Sequence, residues 1–354
     1  MARRLNPAIR EFILRQIPAH AGDIASVTAQ RFGISREAVR KYLNRLVADR
    51  LVAAGGRTNA REYRLMPLDN HTVVLDVNNS LQEDIVWREE LLPRMNDIPQ
   101  NIVDICEYGF NEMVNNVVDH SESKSIRIEY ERDYSQIRIS IRDYGIGIFE
   151  KVRSTFKLHD RKQALLELSK GKLTTDKERH TGEGIFFTSR LFDKFSILSL
   201  DLYYSRSKEH DSDWLIESES KEEETPGTYV DMVIATDATQ VAKEVFLKFM
   251  DDNFRFSRTH VPLVLAKYEG EKLISRSQAK RLLARVDSFS EVILDFKGIS
   301  EIGQAFADEI FRVFQRSHPS IKIIPMRTNE DVDRMIKHAL ANAASSDEHE
   351  LPNQ

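Results

Sequence analysis

Between residues 67 and 236 apolar residues recur in two distinct periods. Gln136–Arg142, QIRISIR, alternates strictly, as does Ser125–Tyr130, so each predicts a half-buried strand, and Tyr229–Ala235, largely apolar, predicts a further strand. His71–Val77 predicts another, and Phe195–Tyr204 and Asp213–Glu217 two more around a charged turn. Leu81–Leu92 and Ile98–Val118 follow the helical period instead. Within the second, Met113, Val114, Val117 and Val118 supply an apolar surface, while Glu112, Asn116 and His120 fall at i, i+4 and i+8. Those three share one face, drifting by roughly 40° per step. Polar groups in register beside buried ones predict a helix that lines a pocket.

The two ends of the chain have other patterns. Pro7–Ile17 predicts a helix. Asp23 or Ser26 can cap a second that runs to Phe32, Gly33 breaks it, and Ser35 caps a third over Arg36–Asp49. Leu51–Val52, the pair Gly55-Gly56 and Glu62–Leu65 predict a hairpin. After Pro67 comes the strand-rich middle. From Gln240 the order is helix, strand Val261–Tyr268, helix Ser275–Arg285, strand Glu291–Phe296, helix Gln304–Phe314, strand Ile321–Ile324 and helix Asp331–Leu340. That alternation predicts a small α/β unit. Residues 345–354 form a polar tail. The expected organisation is therefore 1–66, 67–236, 237–344 and a tail.

Charge sharpens this division. The chain of 354 residues carries a formal net charge of −5, yet residues 1–66 hold 13 Lys and Arg against 5 Asp and Glu, a net of +8. A basic head on an acidic body predicts a module for a polyanion. Helix spacing and hairpin resemble the winged helix-turn-helix domains of bacterial regulators. The resemblance implies DNA as partner, with Arg36, Arg40, Lys41, Asn44 and Arg45 on the outer side of the third helix and Arg57 and Arg61 on the wing. A winged helix used only for protein contacts is the alternative. A homodimer follows from the habit of such domains to bind palindromes. The single cysteine, Cys106, excludes an intramolecular disulfide framework and reads as a buried small hydrophobe. No apolar run is long enough for a membrane span, and the basic start lacks the apolar core of a signal peptide, so the chain reads as cytoplasmic.

The chemistry lies in four ordered stretches. In the first, YGFNEMVNNVVDH at Tyr108–His120, a carboxylate stands one turn before a carboxamide. An amide oxygen can hold a hard cation such as Mg²⁺, and the carboxylate can orient or deprotonate a water beside it. The second, Asp143-Tyr144-Gly145-Ile146-Gly147, follows a strand. The third, Gly182-Glu183-Gly184-Ile185-Phe186, opens a helix. The fourth, Gly227-Thr228, precedes a strand. A solvated helix face is the bland reading of the first alone, but not of all four in order.

Together they resemble the Bergerat-fold (GHKL) ATPases, the group of gyrase, the Hsp90 chaperones, histidine kinases and MutL. Within it GEGIFFTSRLFD at Gly182–Asp193 is most similar to the anti-sigma-factor serine kinases. The likeness covers about residues 70–236. It implies an α/β sandwich of helices on a mixed sheet, with ATP and Mg²⁺ as ligands, Glu112 as general base and Asn116 as metal ligand. Asp143 would bind the exocyclic amine of adenine. Gly145 and Gly147 would let backbone approach the nucleotide, and His120, Gly182, Glu183, Gly184, Ile185 and Thr228 would contact it. The polar, basic stretch Phe149–Thr181 matches the mobile lid of such proteins. His180 and Thr181 are its candidates for phosphate contact, ahead of any single lysine.

The last unit resembles STAS-like domains through DFKGISEIGQAFADEIF at Asp295–Phe311. This implies a regulatory protein partner. The serine such domains offer to anti-sigma kinases is replaced by Gly303-Gln304-Ala305, without a hydroxyl. Asp308 and Glu309 are adjacent and face different ways, so surface or capping roles are expected above a metal pair.

Three functions fit: an ATP-hydrolysing DNA-bound regulator, a serine/threonine kinase of the anti-sigma type acting on a separate partner, and a nucleotide sensor that does not hydrolyse. A histidine kinase fits less well, because His71, ahead of the core, sits in a strand. A gyrase- or chaperone-like machine fits least, because a STAS-like unit stands where the lysine-bearing transducer would.

Overall fold

The computed structural model describes residues 6–56, 61–78, 80–173, 182–209, 212–217, 225–268 and 270–348. The first unit is three helices and a hairpin around a core of its own. α1 (Pro7–Gln16) starts where the Asn6 side chain accepts the Ala8 N–H at 3.0 Å, with proline at its first position. α2 (Ile24–Phe32) stops at Gly33, whose φ of 64° needs no Cβ. α3 (Arg36–Ala48) is capped by Ser35. β1 (Val52–Gly55) and β2 (Glu62–Leu65) pair antiparallel. Ile13, Leu14, Val39, Leu43 and Leu46 fill the space between these elements.

The central unit is a seven-stranded sheet with helices on one face. β3 (Asp69–Asp76) leads into α4 (Glu83–Val86) and a π turn at Trp87–Leu91, then α5 (Gln100–His120). β4 (Ser125–Arg132) and β5 (Gln136–Asp143) follow, then α6 (Ile148–Phe156), α7 (Arg161–Lys170) and α8 (Gly184–Leu191). β6 (Lys194–Leu200), β7 (Leu202–Ser207), β8 (Ser212–Glu217) and β9 (Thr225–Ala235) complete it. The order across the sheet is β3-β4-β5-β9-β6-β7-β8.

Three expectations are corrected here. The sheet is not mixed: every described pair is antiparallel. The last strand causes this. β5 and β6 run the same way, but β9 returns between them and opposes both. Second, Phe195–Tyr204 is not one strand but the hairpin β6–β7. It turns at Leu200, which takes a φ of 56° without the glycine that would have marked the bend. Third, the stretch expected as a polar lid is, over its described part, the helices α6 and α7. Phe149, Val152, Ala164, Leu165 and Leu166 on them are buried.

The C-terminal unit opens with α9 (Ala242–Leu247). Its strands β10 (Arg258–Pro262), β11 (Glu291–Asp295) and β12 (Lys322–Met326) form a parallel sheet in that order. α10 (Arg276–Leu282) starts in a Ser275–Gln278 capping box, and α11 (Gln304–Asp308) runs on through a π turn to Phe314. A terminal helix, Glu330–Glu348, packs on α11. The expected strand Val261–Tyr268 is shorter, because the chain enters a 3-10 turn at Leu263–Ala266. Asp308 pairs with Arg312 at 2.5 Å and Glu309 lies 3.8 Å from Lys280. Apolar packing runs without a break from the central unit into this one, whereas the first unit's core is separate.

Candidate functional site

α5 is long because twenty-one residues between Pro99 and Ser121 contain no helix breaker except Gly109. A Cβ at Gly109 would meet the Phe192 ring, so the glycine lets α8 pack close. Phe110 and Val114 point into the core. On another side Glu112, Asn116 and His120 all line one cavity of about 240 Å³ between α5 and the sheet. Ser121, which caps this helix, lies nine residues after Glu112, so the cavity edge they span is about 13 Å long.

At the Ser121 end stands Asp143, the last residue of β5, with 2% of its surface exposed. Its Oδ1 accepts the Gly145 N–H at 2.8 Å, and Thr228 donates to it. Burial raises the Asp143 carboxyl above the usual aspartate range, and the hydrogen bonds from Gly145 and Thr228 oppose that rise. Thr228 Oγ1 also accepts the Ile148 N–H at 3.0 Å, which ties β9 to the start of α6. Apolar Met113, Val117, Ile141, Ile197 and Val230 wall the space around this carboxylate. A flat, apolar group with one amine would be held here: its faces meet aliphatic carbon and its N–H meets the acid.

The glycines of this turn serve the protein's own packing. A Cβ on Gly145 would overlap the Ser121 carbonyl, and one on Gly147 would stand 2.6 Å from Ser199 Oγ. Neither lines the cavity.

At the Glu112 end the third glycine stretch closes the cavity. Gly182, Glu183, Gly184 and Ile185 all line it. Gly184 is the first residue of α8, and a Cβ there would fall inside the Glu112 carboxylate. Burial raises the Glu183 carboxyl, with Lys172 acting against the rise. His180 and Thr181 lie outside the described residues.

The donor set suits one kind of cation. Asn116 offers a half-buried carboxamide beside carboxylate Glu112, and among the described residues no cluster of three or more His, Cys, Asp or Glu side chains could cage a metal. A cation here must take most of its ligands from water and a bound anion, which is how Mg²⁺ binds with phosphates.

The motifs did not single out Lys151, which lines the cavity and donates to Glu122 at 2.8 Å. Its only signal was its place on the first turns of a helix after Gly147. Three basic residues of the stretch expected as a lid are engaged away from the cavity. Arg161 pairs with Asp201 at 2.8 Å, Lys170 with Glu167 at 2.8 Å, and Lys162 lies over the Tyr268 ring. Lys177 and Arg179 lie outside the described residues.

On the first unit Arg36, Arg40, Lys41, Asn44 and Arg45 are all exposed along α3, and Arg45 pairs with Asp49 at 3.1 Å. Arg61 is exposed beside Tyr63. Arg57 lies outside the described residues.

Two family models match the chain. The histidine kinase-like ATPase domain matches residues 83–201, from α4 to the end of the β6–β7 turn, and so includes Glu112, Asn116, Asp143 and Gly184. The STAS-like domain of unknown function (DUF4325) matches residues 278–333. Comparison with the curated proteins gives no match. The chain thus carries a histidine-kinase-like ATPase domain and a STAS-like domain, and among the described residues no helix is long and apolar enough to cross a membrane.

Proposed function

We propose that this chain is an ATP-binding, slowly hydrolysing regulator in which nucleotide state governs a DNA-binding head and a STAS-like tail. The observation that carries the reading is a single cavity lined by Glu112, Asn116, Asp143, Gly184 and Thr228, drawn from four separate stretches of sequence. Adenine lies between the aliphatic walls with its amine on Asp143, and Thr228 fixes that carboxylate. The triphosphate runs along α5 toward Gly184, where the first amides of α8 meet it. Asn116 holds Mg²⁺, which when bound neutralises phosphate charge and polarises the γ-phosphoryl group.

Glu112 then acts on the attacking water. It accepts a water proton as the water oxygen bonds to the γ-phosphorus and the bond to the ADP oxygen breaks. Gly184 leaves room for that carboxylate against the phosphate end.

The basic head is read as a winged helix-turn-helix, with α3 in the major groove and Arg61 on a phosphate. The excess of positive charge confined to residues 1–66 supports this. A homodimer on a palindromic site, and a regulatory protein partner for the STAS-like domain, belong to the same proposal. The test is release of ADP and phosphate from Mg-ATP by wild type, Glu112→Ala and Asn116→Ala. Turnover in wild type only is expected. Full turnover in Glu112→Ala overturns Glu112 as the base.

A further inference from the structure

Residues 168–173 form a wall with two working sides. The inner side faces the cavity through Leu168 and Leu173. The outer side is fastened to the C-terminal unit. Lys170, 1% exposed, donates through Nζ to the Ala284 carbonyl at 2.7 Å, and its own carbonyl accepts the Thr259 hydroxyl at 2.7 Å. Lys172 Nζ donates to the Ser288 carbonyl at 2.7 Å and lies 4.5 Å from the centre of the Phe289 ring. Between these lysines Gly171 takes a φ of 78°, and a Cβ there would stand 2.6 Å from the Phe256 ring. The wall also touches the glycine turn: the space for a Cβ on Gly182 is filled by Leu173 backbone at 2.6 Å.

We propose that Lys172 is a positioning residue of the nucleotide cavity. By fastening the wall Leu168–Leu173 to the STAS-like unit, it makes nucleotide affinity depend on how that unit is docked. The inference rests on the nucleotide reading of the cavity. Its physical basis is the thinness of the wall, where residues two apart face the cavity and the neighbouring unit. A shift of the unit by an ångström must move either the Ser288 anchor or Leu173, and Leu173 carries Gly182 with it. Burial lowers the Lys172 pKa, and the Glu183 carboxylate, next along the turn, acts against that lowering. Coupling of this kind is reciprocal, so nucleotide must in turn tighten the docking.

The test uses the full chain with K172M, K172R and, as a control, K272A, which removes an exposed pair with Glu301 in the same unit. Binding of a fluorescent ATP analogue with Mg²⁺ is titrated, and amide exchange is followed over 168–173 and 182–191 without nucleotide. K172M is expected to weaken binding about 5- to 150-fold, the range of ordinary coupling between sites. It should also speed exchange over both segments. K172R should restore most of each, and K272A should change neither.

Wild-type affinity in K172M overturns the proposal. So does lost affinity with unchanged exchange, because direct contact with the nucleotide would then explain the loss. If wild type binds no nucleotide, the proposed function fails and exchange alone decides. Faster exchange over 182–191 in K172M supports the anchoring, and unchanged exchange overturns it.

Discussion

The Glu112 carboxylate and the backbone of Gly184 meet so closely that the position of a Cβ on residue 184 is already taken by carboxylate oxygen. One residue comes from the middle of α5, the other from the start of α8, 72 positions later in the chain. Gly184→Ala must therefore push Glu112 aside or shift α8. Overpacking of this kind costs about 1–3 kcal/mol. ATP turnover should fall at least about tenfold, the factor that 1.4 kcal/mol represents. Steady-state hydrolysis together with thermal melting separates the loss of alignment from global unfolding.

Replacing the carboxylate itself is the cleaner chemical test. Glu112→Gln keeps the size of the side chain and removes the base. Hydrolysis should fall by about 10² to 10⁴, the usual worth of general-base catalysis, with nucleotide affinity retained. Phosphate release and binding of the same analogue check it. Following labelled γ-phosphate also tests the kinase alternative, in which label accumulates on a partner protein and not as free phosphate.

Asp295 gives a prediction in pH. His260 at 3.2 Å and Arg327 hold its carboxyl well below the usual aspartate range, although burial acts the other way. The folded pKa is thus lower than the unfolded one, near 3.9. The native ionised form therefore adds stability that is fully present above pH of about 5, begins to fall below about pH 4 and is lost progressively as pH drops toward the depressed folded value. Asp295→Ala should cost about 3 kcal/mol at pH 7, the loss typical when a buried pair is broken. The gap to wild type should narrow on acidification. Denaturant melts at pH 7 and pH 3.5 measure both.

Asp143 has the opposite sign. Burial raises its folded pKa above the unfolded one, so its ionisation lowers stability as pH rises between those two values. Asp143→Asn should therefore leave stability at pH 7 unchanged or slightly increased. It should weaken ATP binding, because the amide no longer offers two acceptors to an amine. Melting and nucleotide titration on one sample check the pair of outcomes.

For the basic head, Arg40→Ala and Lys41→Ala should each weaken binding to duplex DNA. A residue that neutralises a phosphate should lower the slope of log affinity against log salt by about one unit. Fluorescence anisotropy with a labelled duplex across a salt series gives that slope, and a flat slope in wild type contradicts DNA binding by α3.

Much of this architecture was legible because it is local. Gly33 and Ser35 mark α2 and α3 by stopping and capping chemistry that needs no distant partner. β4 and β5 alternate because one face is buried, and the face shared by Glu112, Asn116 and His120 follows from helix geometry alone. What was not legible depends on neighbours far along the chain. Glu167 and Lys170 look like solvated charges but are both 1% exposed, buried as a pair under the C-terminal unit. By its polar pattern alone the stretch therefore reads as a lid. The β6–β7 turn has no local signal, because Leu200 adopts a conformation usually announced by glycine. The all-antiparallel sheet depends on where β9 inserts, which no local pattern records.

In the proposed function Mg-ATP enters the cavity between α5 and the glycine turn. Calorimetric titration of a non-hydrolysable ATP analogue with Mg²⁺ into wild type, Asn116→Ala and Asp143→Asn tests it most directly. Saturable one-site binding is expected in wild type, weaker in both variants, with the Mg²⁺ dependence lost in Asn116→Ala. No binding in wild type, or equal binding in all three proteins, would contradict it.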